Sequence, residues 1–371
     1  MILRQLQLIN FRNYQNCWAE WHEQINLLQG ANAQGKTNLL EAICFLSLAT
    51  SFRAVGEFEL IFSGKDYFFV EGDIDSQEKG NINISAAYSR DKKRKWKING
   101  NECLRNELIG LLHTVIFSPE DVNLIKASPM QRRRFLNRQI SQLFPQHCQE
   151  LIRYNRILAQ RNSCLRFFQQ MKANNDLQEA LDVWDQQLAA SGAAIIWQRR
   201  QVLQQLNPLA AEIHEKLAVG EKLNIRYKSF TGALEANSKE EIQALFLKEL
   251  KRLSGAERSR GATLVGPHRD DLLIEINKTL GKGYASQGQQ RTAALSCKLA
   301  ELELARNQKH EWPVLLLDDV LSELDDYRQQ ALLNKIAGGA QTFIASTNPL
   351  PKITGQIWHI TTGSINKRGG N

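Results

Sequence analysis

Gly30-Ala31-Asn32-Ala33-Gln34-Gly35-Lys36-Thr37 has the complete form of a phosphate-binding loop, GxxxxGK[ST]. The glycines allow the backbone to wrap a phosphate chain, so that successive N–H groups and a helix N-terminus point at the anion. Lys36 can reach the β- and γ-phosphates of ATP, and the Thr37 hydroxyl can bind Mg²⁺. We therefore expect ATP and Mg²⁺ as the ligands of these eight residues.

The residues on either side of the loop predict the strand–loop–helix context that this motif requires. Ile25-Asn26-Leu27-Leu28 is suited to a buried strand, and residues 38–46 carry apolar side chains at helical spacing. The context distinguishes the motif from an ordinary turn that contains glycine, and it predicts an α/β fold.

A second stretch predicts the other half of a nucleotide site. Val314-Leu315-Leu316-Leu317-Asp318-Asp319 is an apolar run, typical of a buried parallel strand, that ends in two acids. We expect Asp318 beside Thr37, where the two would hold Mg²⁺. Asp319 is the catalytic candidate, placed to polarise an attacking water. Two acids after a strand can also cap a helix, an interpretation that the phosphate loop disfavours.

Between these halves, Ala285-Ser286-Gln287-Gly288-Gln289 opens a predicted helix. It resembles the signature motif of ATP-binding-cassette (ABC) ATPases, Leu-Ser-Gly-Gly-Gln, with Gln287 in place of the first glycine. In that class the signature binds the nucleotide of the opposite protomer, so the resemblance implies that Ser286, Gly288 and Gln289 bind ATP in trans. With one loop and one signature per chain, we expect a C₂ homodimer that forms on ATP binding.

The charge of the chain favours a polyanionic partner. The 371 residues carry a formal net charge of +8. Any one basic run can be a solvated face, but several runs in a nucleotide-binding protein favour the phosphate backbone of a nucleic acid as partner. Trp96, inside the first run, can stack a base or pack on the domain. The DNA-binding candidates are Lys92, Lys93, Arg94, Lys95, Arg132, Arg133 and Arg134.

The composition argues against secretion and against a membrane. The six cysteines are scattered without metal-ligand spacing, which favours reduced thiols in a cytoplasmic protein. No apolar stretch approaches the roughly 18 residues of a transmembrane helix, and the N-terminal residues lack a signal-peptide cleavage site.

Amino-acid composition and the spacing of apolar residues divide the chain into three segments. Residues 1–120 predict the N-terminal part of a P-loop ATPase domain, with an antiparallel β section that includes a hairpin at Asn99-Gly100. Residues 121–260 predict a helical arm, because Pro and Gly are rare there and apolar residues recur at helical spacing. Residues 261–371 return to α/β and complete the ATPase domain. The predicted fold is thus an ABC-type ATPase domain with a helical insertion.

Four further motifs resemble the RecF family of DNA recombination and repair ATPases, which are related to SMC proteins, over essentially the whole chain. They are Asn10-Phe11-Arg12-Asn13-Tyr14, Pro129-Met130-Gln131-Arg132-Arg133-Arg134-Phe135-Leu136-Asn137, Gly266-Pro267-His268-Arg269-Asp270-Asp271 and Leu317-Asp318-Asp319-Val320-Leu321-Ser322-Glu323-Leu324-Asp325. The resemblance implies Arg12 as a further nucleotide contact and weak, DNA-stimulated ATP hydrolysis. It also implies binding to single-stranded and linear duplex DNA and to gap junctions, partnership with RecR and RecO in loading RecA, and a role in the SOS response.

Three positions depart from the cassette pattern. Asp319 stands where cassette ATPases generally have Glu, which is compatible with slow hydrolysis. Ser346-Thr347-Asn348 occupies the region of their switch histidine, and Ser118-Pro119-Glu120-Asp121 replaces their usual glutamine segment. His268-Arg269-Asp270-Asp271 can be a second catalytic cluster or an ion-paired turn, and we favour the structural interpretation.

Three other functions stay open from the residues alone. The ATPase subunit of a membrane transporter would share the loop and the signature but lack the arginine-rich insertion. A P-loop phosphotransferase needs neither signature nor dimer. A scaffold would bind ATP without hydrolysing it.

Overall fold

The computed structural model describes residues 1–54, 56–170, 175–336, 339–348, 350 and 355–367. Packing divides the chain into two compact units. The first unit contains Met1–Val122, Lys216–Val219 and the chain from Ala294 onward, and the second contains Asn123–Glu215 and Gly220–Ala293.

Fifteen strands and nine α-helices are assigned in the described part of the chain. The strands are β1 (Ile2–Phe11), β2 (Tyr14–Glu20), β3 (Ile25–Gln29), β4 (Tyr67–Ser76), β5 (Gly80–Ser89), β6 (Arg94–Ile98), β7 (Asn101–Glu102), β8 (Thr114–Phe117), β9 (Leu223–Lys228), β10 (Asp271–Ile276), β11 (Thr279–Leu280), β12 (Val314–Asp318), β13 (Thr342–Ser346), β14 (Gln356–Thr361) and β15 (Ser364–Lys367). The helices are α1 (Lys36–Leu48), α2 (Asn123–Lys126), α3 (Pro129–Leu143), α4 (Pro145–Gln170), α5 (Asn175–Leu217), α6 (Lys239–Arg260), α7 (Gly281–Tyr284), α8 (Gln287–Lys309) and α9 (Asp326–Ile336).

Two six-stranded sheets form the first unit. One is antiparallel, in the order β2-β1-β4-β5-β6-β7, and it is the predicted antiparallel section. The other has the order β15-β14-β3-β13-β12-β8 and is parallel except for β15. Strands β12 and β13 are buried along their whole length, which is typical of parallel strands covered on both faces.

Helix α1 packs between the two sheets. Leu39, Ile43 and Phe45 of α1 belong to one buried cluster with side chains from both sheets. Trp96 joins this cluster, with its ring stacked on Phe45 at a centroid distance of 5.6 Å, so it packs on the domain and is not exposed to stack a base. The core therefore surrounds the helix that follows the phosphate loop and holds it in place.

Local signals in the sequence account for several element boundaries. Asn99 and Gly100 both have positive φ values, 50° and 80°, in the tight turn between β6 and β7, which confirms the predicted hairpin. Ser128 caps α3 with Gln131 as its capping-box partner, and Pro129 occupies the first turn. Helix α6 ends at Gly261, whose φ of 61° is left-handed.

The second unit contains α2 to α7 and a small antiparallel sheet. Tyr154 and Ile157 of α4, Leu188 of α5 and Phe246 of α6 share one buried cluster, so these three helices pack on one another. The sheet has the order β11-β10-β9. Because β10 pairs with β9 along its whole length, residues 261–293 belong to this unit, whereas the sequence grouped them with the C-terminal ATPase segment.

Among the described helices, none combines the length and the apolar character that crossing a bilayer requires.

Candidate nucleotide-binding site

The parallel sheet of the first unit brings the two halves of the predicted site to one edge. Strand β13 lies between β3 and β12, and all three run in the same direction. Ala345 of β13 is in register with Leu28 on one side and with Asp318 on the other. The loop after β3 and the acids at the end of β12 therefore emerge next to each other, at the carboxyl edge where parallel sheets bind ligands.

Both glycines of the loop are required by the packing around them. A Cβ atom on Gly30 would lie 2.4 Å from the carbonyl oxygen of Ile360 in β14. Gly35 precedes α1 with a φ of 119°, and a Cβ there would lie 2.7 Å from the Asn13 amide. The loop conformation thus depends on glycine for steric reasons in addition to its approach to phosphate.

Lys36 is buried within the loop. Its Nζ donates hydrogen bonds to the carbonyl oxygens of Gly30 at 2.7 Å and Ala31 at 2.8 Å. Burial lowers the pKa of the ammonium group, and the charges of Asp319 and Asp318 oppose that shift. The ammonium is held at the centre of the loop, and phosphate oxygens are stronger acceptors for it than neutral carbonyls.

Thr37 and Asp318, the two predicted metal ligands, are in contact. The Thr37 hydroxyl donates to Asp318 Oδ1 at 2.7 Å. Burial raises the pKa of Asp318, while the hydrogen bond from Thr37 and the charge of Arg53 act in the opposite direction. A hydroxyl oxygen beside a carboxylate is a hard donor set that fits Mg²⁺.

Asp319 lies beside this pair in a different backbone conformation. Its φ is 54°, and its N–H donates to the Ala345 carbonyl at 3.2 Å. The Ser322 hydroxyl donates to the Asp319 carbonyl oxygen at 2.7 Å and fixes the turn. The half-buried carboxylate is near enough to Lys36 and Asp318 to influence the pKa of each.

The β14–β15 turn and the β1–β2 turn both form hydrogen bonds to Gln34 of the loop. The Thr362 N–H donates to Gln34 Oε1 at 2.7 Å, and the Gly363 N–H donates to the Gln34 carbonyl at 3.1 Å. Asn13 Nδ2 donates to the same carbonyl at 2.9 Å. No sequence motif marks Thr362 and Gly363, because their role follows from the position of the β14–β15 turn beside the loop.

Arg12 adjoins the loop but is engaged in an ion pair. Its Nε and Nη2 donate to the two carboxylate oxygens of Glu41 in α1, at 2.8 and 2.9 Å, and Nη1 donates to the Glu59 carbonyl at 2.9 Å. It also lines an open groove beside the loop with Asn13, Gln15, Asn16, Phe62, Ser63, Thr362 and Gly363. A nucleotide contact by Arg12 stays a prediction.

Arg53 is a residue that sequence reasoning missed. It is exposed, five residues beyond the end of α1, and its positive charge acts to lower the pKa of Asp318. No motif marks it, so only the fold places its charge near the acidic strand.

The signature residues form the exposed N-terminus of α8. The Ser286 N–H donates to Gln289 Oε1 at 2.9 Å, and the Gln289 N–H donates to Ser286 Oγ at 3.2 Å, which is a reciprocal capping box. Ser286, Gln287 and Gly288 are exposed, and a Cβ on Gly288 would have no neighbour closer than 3.9 Å. An uncrowded helix N-terminus of this kind is suited to an anionic ligand from another molecule.

The first basic run lies on the β5–β6 turn and strand β6. Lys92 is exposed with a φ of 64°. The other three candidates make surface ion pairs, Lys93 with Asp91 at 2.7 Å, Arg94 with Glu57 at 2.6 Å and Lys95 with Glu102 at 3.8 Å. Surface pairs contribute little energy, so these cations can exchange their partners for phosphates.

The second basic run does not form one surface. Arg134 is exposed, and Arg133 is half-buried with Nη1 donating to the Asp270 carbonyl at 2.6 Å. Arg132 is buried, and its Nε and Nη2 donate to the two carboxylate oxygens of Asp271 at 2.9 and 2.7 Å. The assignment of Arg132 to DNA binding is therefore corrected, because its guanidinium is used inside the second unit.

Within the segment His268-Arg269-Asp270-Asp271 of the second unit, Asp270 is buried, His268 and Asp271 are half-buried and Arg269 is exposed. His268 Nδ1 is 2.7 Å from the Tyr154 hydroxyl, and Asp270 accepts hydrogen bonds from Tyr227 and Ser229. Burial lowers the pKa of His268 to about 4 and raises that of Asp270 to about 6. These contacts favour the ion-paired turn over a second catalytic cluster.

Comparison with known proteins identifies the family of the chain. The family described as RecF/RecN/SMC N terminal domain matches residues 2–350. The DNA replication and repair proteins RecF of Bacillus cereus (strain B4264) and Bacillus mycoides (strain KBAB4) are each 42% identical over 352 residues, which cover 94% of this chain and 92% of those proteins. A solved structure of the recombination mediator protein RecF with ATP, in the RecFOR pathway, is 37% identical with a TM-score of 0.93, covering 99% of this chain and 98% of that one.

More distant structures share the fold alone. An Smc head domain with a coiled coil from Pyrococcus yayanosii is 13% identical with a TM-score of 0.58, and it covers 99% of this chain and 96% of that one. The predicted ABC-type ATPase fold with a helical insertion is thereby confirmed.

Proposed function

The chain belongs to the RecF family, and from this premise we propose that it is an ATP-dependent DNA-binding protein of recombinational DNA repair and replication. The observation that carries the proposal is the 2.7 Å hydrogen bond between Thr37 and Asp318, which joins the phosphate loop to the acidic strand. The similar RecF structure with ATP supports ATP as the ligand. The relatives named DNA replication and repair protein RecF support the cellular role.

The residues divide the nucleotide chemistry between them. The backbone of Gly30–Thr37 holds the phosphates, and the buried Lys36 ammonium neutralises their charge. Thr37 and Asp318 hold Mg²⁺, which when bound supplies further neutralisation of the phosphate oxygens. Asp319 orients and polarises the attacking water. A short aspartate at this position accounts for weak hydrolysis, which DNA stimulates.

A second protomer completes each site. Ser286, Gly288 and Gln289 of one protomer contact the ATP held by Lys36 and Thr37 of the other, so that ATP binding favours a C₂ homodimer. The exposure of the α8 N-terminus supports this role, because a signature used in trans has to be accessible. Hydrolysis removes the ATP that both protomers contact, and the dimer then dissociates.

Dimer closure brings two sets of basic residues into one assembly. Lys92, Lys93, Arg94, Lys95 and Arg134 are the exposed or surface-paired cations that contact the DNA backbone. The substrates are single-stranded and linear duplex DNA, including gap junctions. In the cytoplasm the protein acts with RecR and RecO in loading RecA, and it contributes to the SOS response. A RecF structure placed in the RecFOR pathway supports these partners.

DNA binding with and without ATP, at several salt concentrations, tests the proposal. We expect ATP to tighten binding and to steepen the dependence on salt, by about 0.9 in the log–log slope for each added duplex phosphate contact. Lys36→Ala should abolish the effect of ATP, and Lys239→Ala, which removes an exposed lysine of α6, should retain it. Binding that is indifferent to ATP in the unsubstituted protein would refute the proposal.

A further inference from the structure

Both the oxygen and the nitrogen of the Gln289 side-chain amide, in the signature, make hydrogen bonds. Its Oε1 accepts the Ser286 N–H at 2.9 Å, and its Nε2 donates to Glu221 Oε1 at 3.0 Å. An ionised carboxylate can only accept hydrogen bonds, so Glu221 determines which end of the amide faces it. The other end is thereby directed at the backbone of Ser286.

The neighbours of Glu221 are residues that the sequence did not single out. Its second carboxylate oxygen, Oε2, lies 3.4 Å from Nε2 of His214, a fully buried residue near the end of α5. The backbone next to it is fixed as well, because the Lys222 N–H donates to Asn277 Oδ1 and the Asn277 N–H donates to the Lys222 carbonyl, both at 2.9 Å. The backbone is therefore fixed next to Glu221, and the Glu221 carboxylate is an acceptor for Gln289 behind an exposed helix terminus.

We propose that Glu221 is a positioning residue for the signature, acting through Gln289 on the conformation of Ser286 that receives the partner's ATP. This inference rests on the proposed function, since it assumes that Ser286 is used in trans. It goes further by assigning a residue outside every motif to control of dimer closure. The phosphate loop of the same chain does not use Glu221, so ATP binding to the monomer is independent of it.

The consequence of losing Glu221 follows from the hydrogen bonds. Without the Glu221 acceptor, the Gln289 amide is free to rotate. Water then competes with Gln289 Oε1 for the Ser286 N–H. Loss of one such bond weakens an association by about fivefold to tenfold. A glutamine at residue 221 keeps an acceptor oxygen at the same distance along the side chain, so it should retain most of the function.

Dimerisation at increasing ATP, followed by light scattering with Mg²⁺ present, tests the proposal. Glu221→Ala should need about tenfold more ATP for half-maximal dimerisation, whereas Glu221→Gln should stay within about twofold of the unsubstituted protein. Glu215→Ala removes an exposed acid six residues earlier and should have no effect. The melting temperature and the affinity of the dilute monomer for a fluorescent ATP analogue should be unchanged in all three variants.

Four outcomes overturn the proposal, and they separate it from the proposed function. If Ser286→Arg abolishes dimerisation but Glu221→Ala does not weaken it, the shared site stands and the role of Glu221 is refuted. If Ser286→Arg also dimerises normally, the shared site itself is refuted. A lowered melting temperature or monomer affinity in Glu221→Ala would show a structural role instead. Tighter dimerisation in both Glu221 variants would show charge repulsion of the nucleotide, which contradicts positioning.

Discussion

At the scale of single residues, the adjacent acids Asp318 and Asp319 differ in burial because their backbone conformations differ. Asp318 ends β12 in extended conformation and is buried against Thr37, whereas Asp319 has a φ of 54° and is only half-buried. Asp and Asn occupy this left-handed region more readily than other residues with a Cβ. Asp319 can therefore be replaced by Asn without strain, which makes the substitution a test of chemistry and not of folding.

Asp319→Asn should retain ATP binding and lose most hydrolysis. Removing a residue that polarises the attacking water lowers the rate by about a hundredfold or more. ATP dimers should then accumulate, because release depends on hydrolysis. Phosphate release and the dimer fraction measure the two effects, with Asp326→Asn, which alters an exposed acid outside the motif, as the control. Hydrolysis at the normal rate would exclude Asp319 as the catalytic residue, and no hydrolysis in the unsubstituted protein would favour the scaffold.

The buried histidines should make stability depend on pH. Burial lowers the pKa of His147 to about 3, with the charge of Arg199 acting in the same direction, whereas an unfolded histidine titrates near 6.5. The unfolded chain therefore binds a proton that the folded chain refuses between about pH 3 and 6.5. Stability is complete above this window and falls as the pH is lowered through it, by about 1.4 kcal/mol per pH unit.

His147→Gln should reduce this slope by about 1.4 kcal/mol per pH unit, the share of one histidine, because His113 and His268, whose pKa values burial also lowers, keep theirs. Urea denaturation at pH 7, 6 and 5 would measure the difference. Asp270 acts in the opposite direction, because burial raises its pKa to about 6 and protonation then favours the folded state. Its contribution is the same in both proteins and cancels in their difference. Parallel stability profiles for the two proteins would contradict a neutral, buried His147.

At the scale of elements, helix α3 shows why a run of arginines is not a patch. Successive residues on a helix point about 100° apart, so Arg132, Arg133 and Arg134 cannot share a face. Arg132 is three and four residues before the buried Phe135 and Leu136, and helical spacing places it on their side. That much was available in the sequence. The partner was not, because Asp271 lies 139 residues away and reaches Arg132 only through the fold.

Arg132→Ala and Arg134→Ala should therefore have different effects. The first leaves Asp271 without its ion-pair partner at a largely buried site and should destabilise the protein by about 3 kcal/mol or more. The second removes an exposed cation and should change stability by less than about 0.5 kcal/mol while weakening DNA binding. Urea denaturation and DNA titration of both variants distinguish the roles. Similar stability losses for the two would contradict the assignment.

At the scale of the whole molecule, the order of short motifs was more informative than composition. The loop, the signature and the acidic strand each have local patterns, and they predicted an ABC-type fold that is confirmed. Which residues belong to the second unit could not be predicted from such local patterns. Strands β9 and β10 are separated by more than forty residues, and their pairing decides where residues 261–293 belong. Membership of the RecF family sets aside the transporter subunit and the phosphotransferase.

The shared site makes a prediction that only two molecules together can test. Lys36→Ala abolishes phosphate binding by the loop and leaves the signature intact. Ser286→Arg disrupts the signature and leaves the loop intact, so each variant alone should be inactive in hydrolysis. A mixed dimer joins the intact loop of one chain to the intact signature of the other. Neither variant should pair with itself, because Lys36→Ala does not bind ATP and Ser286→Arg lacks the signature contact, so the dimers of an equal mixture are mixed. Each mixed dimer has one working site of two, so up to about half of the normal activity should return. Mixing Lys36→Ala with the doubly substituted chain restores no loop and is the control. If each chain used its own Ser286, every site would carry a defect and the equal mixture would stay inactive.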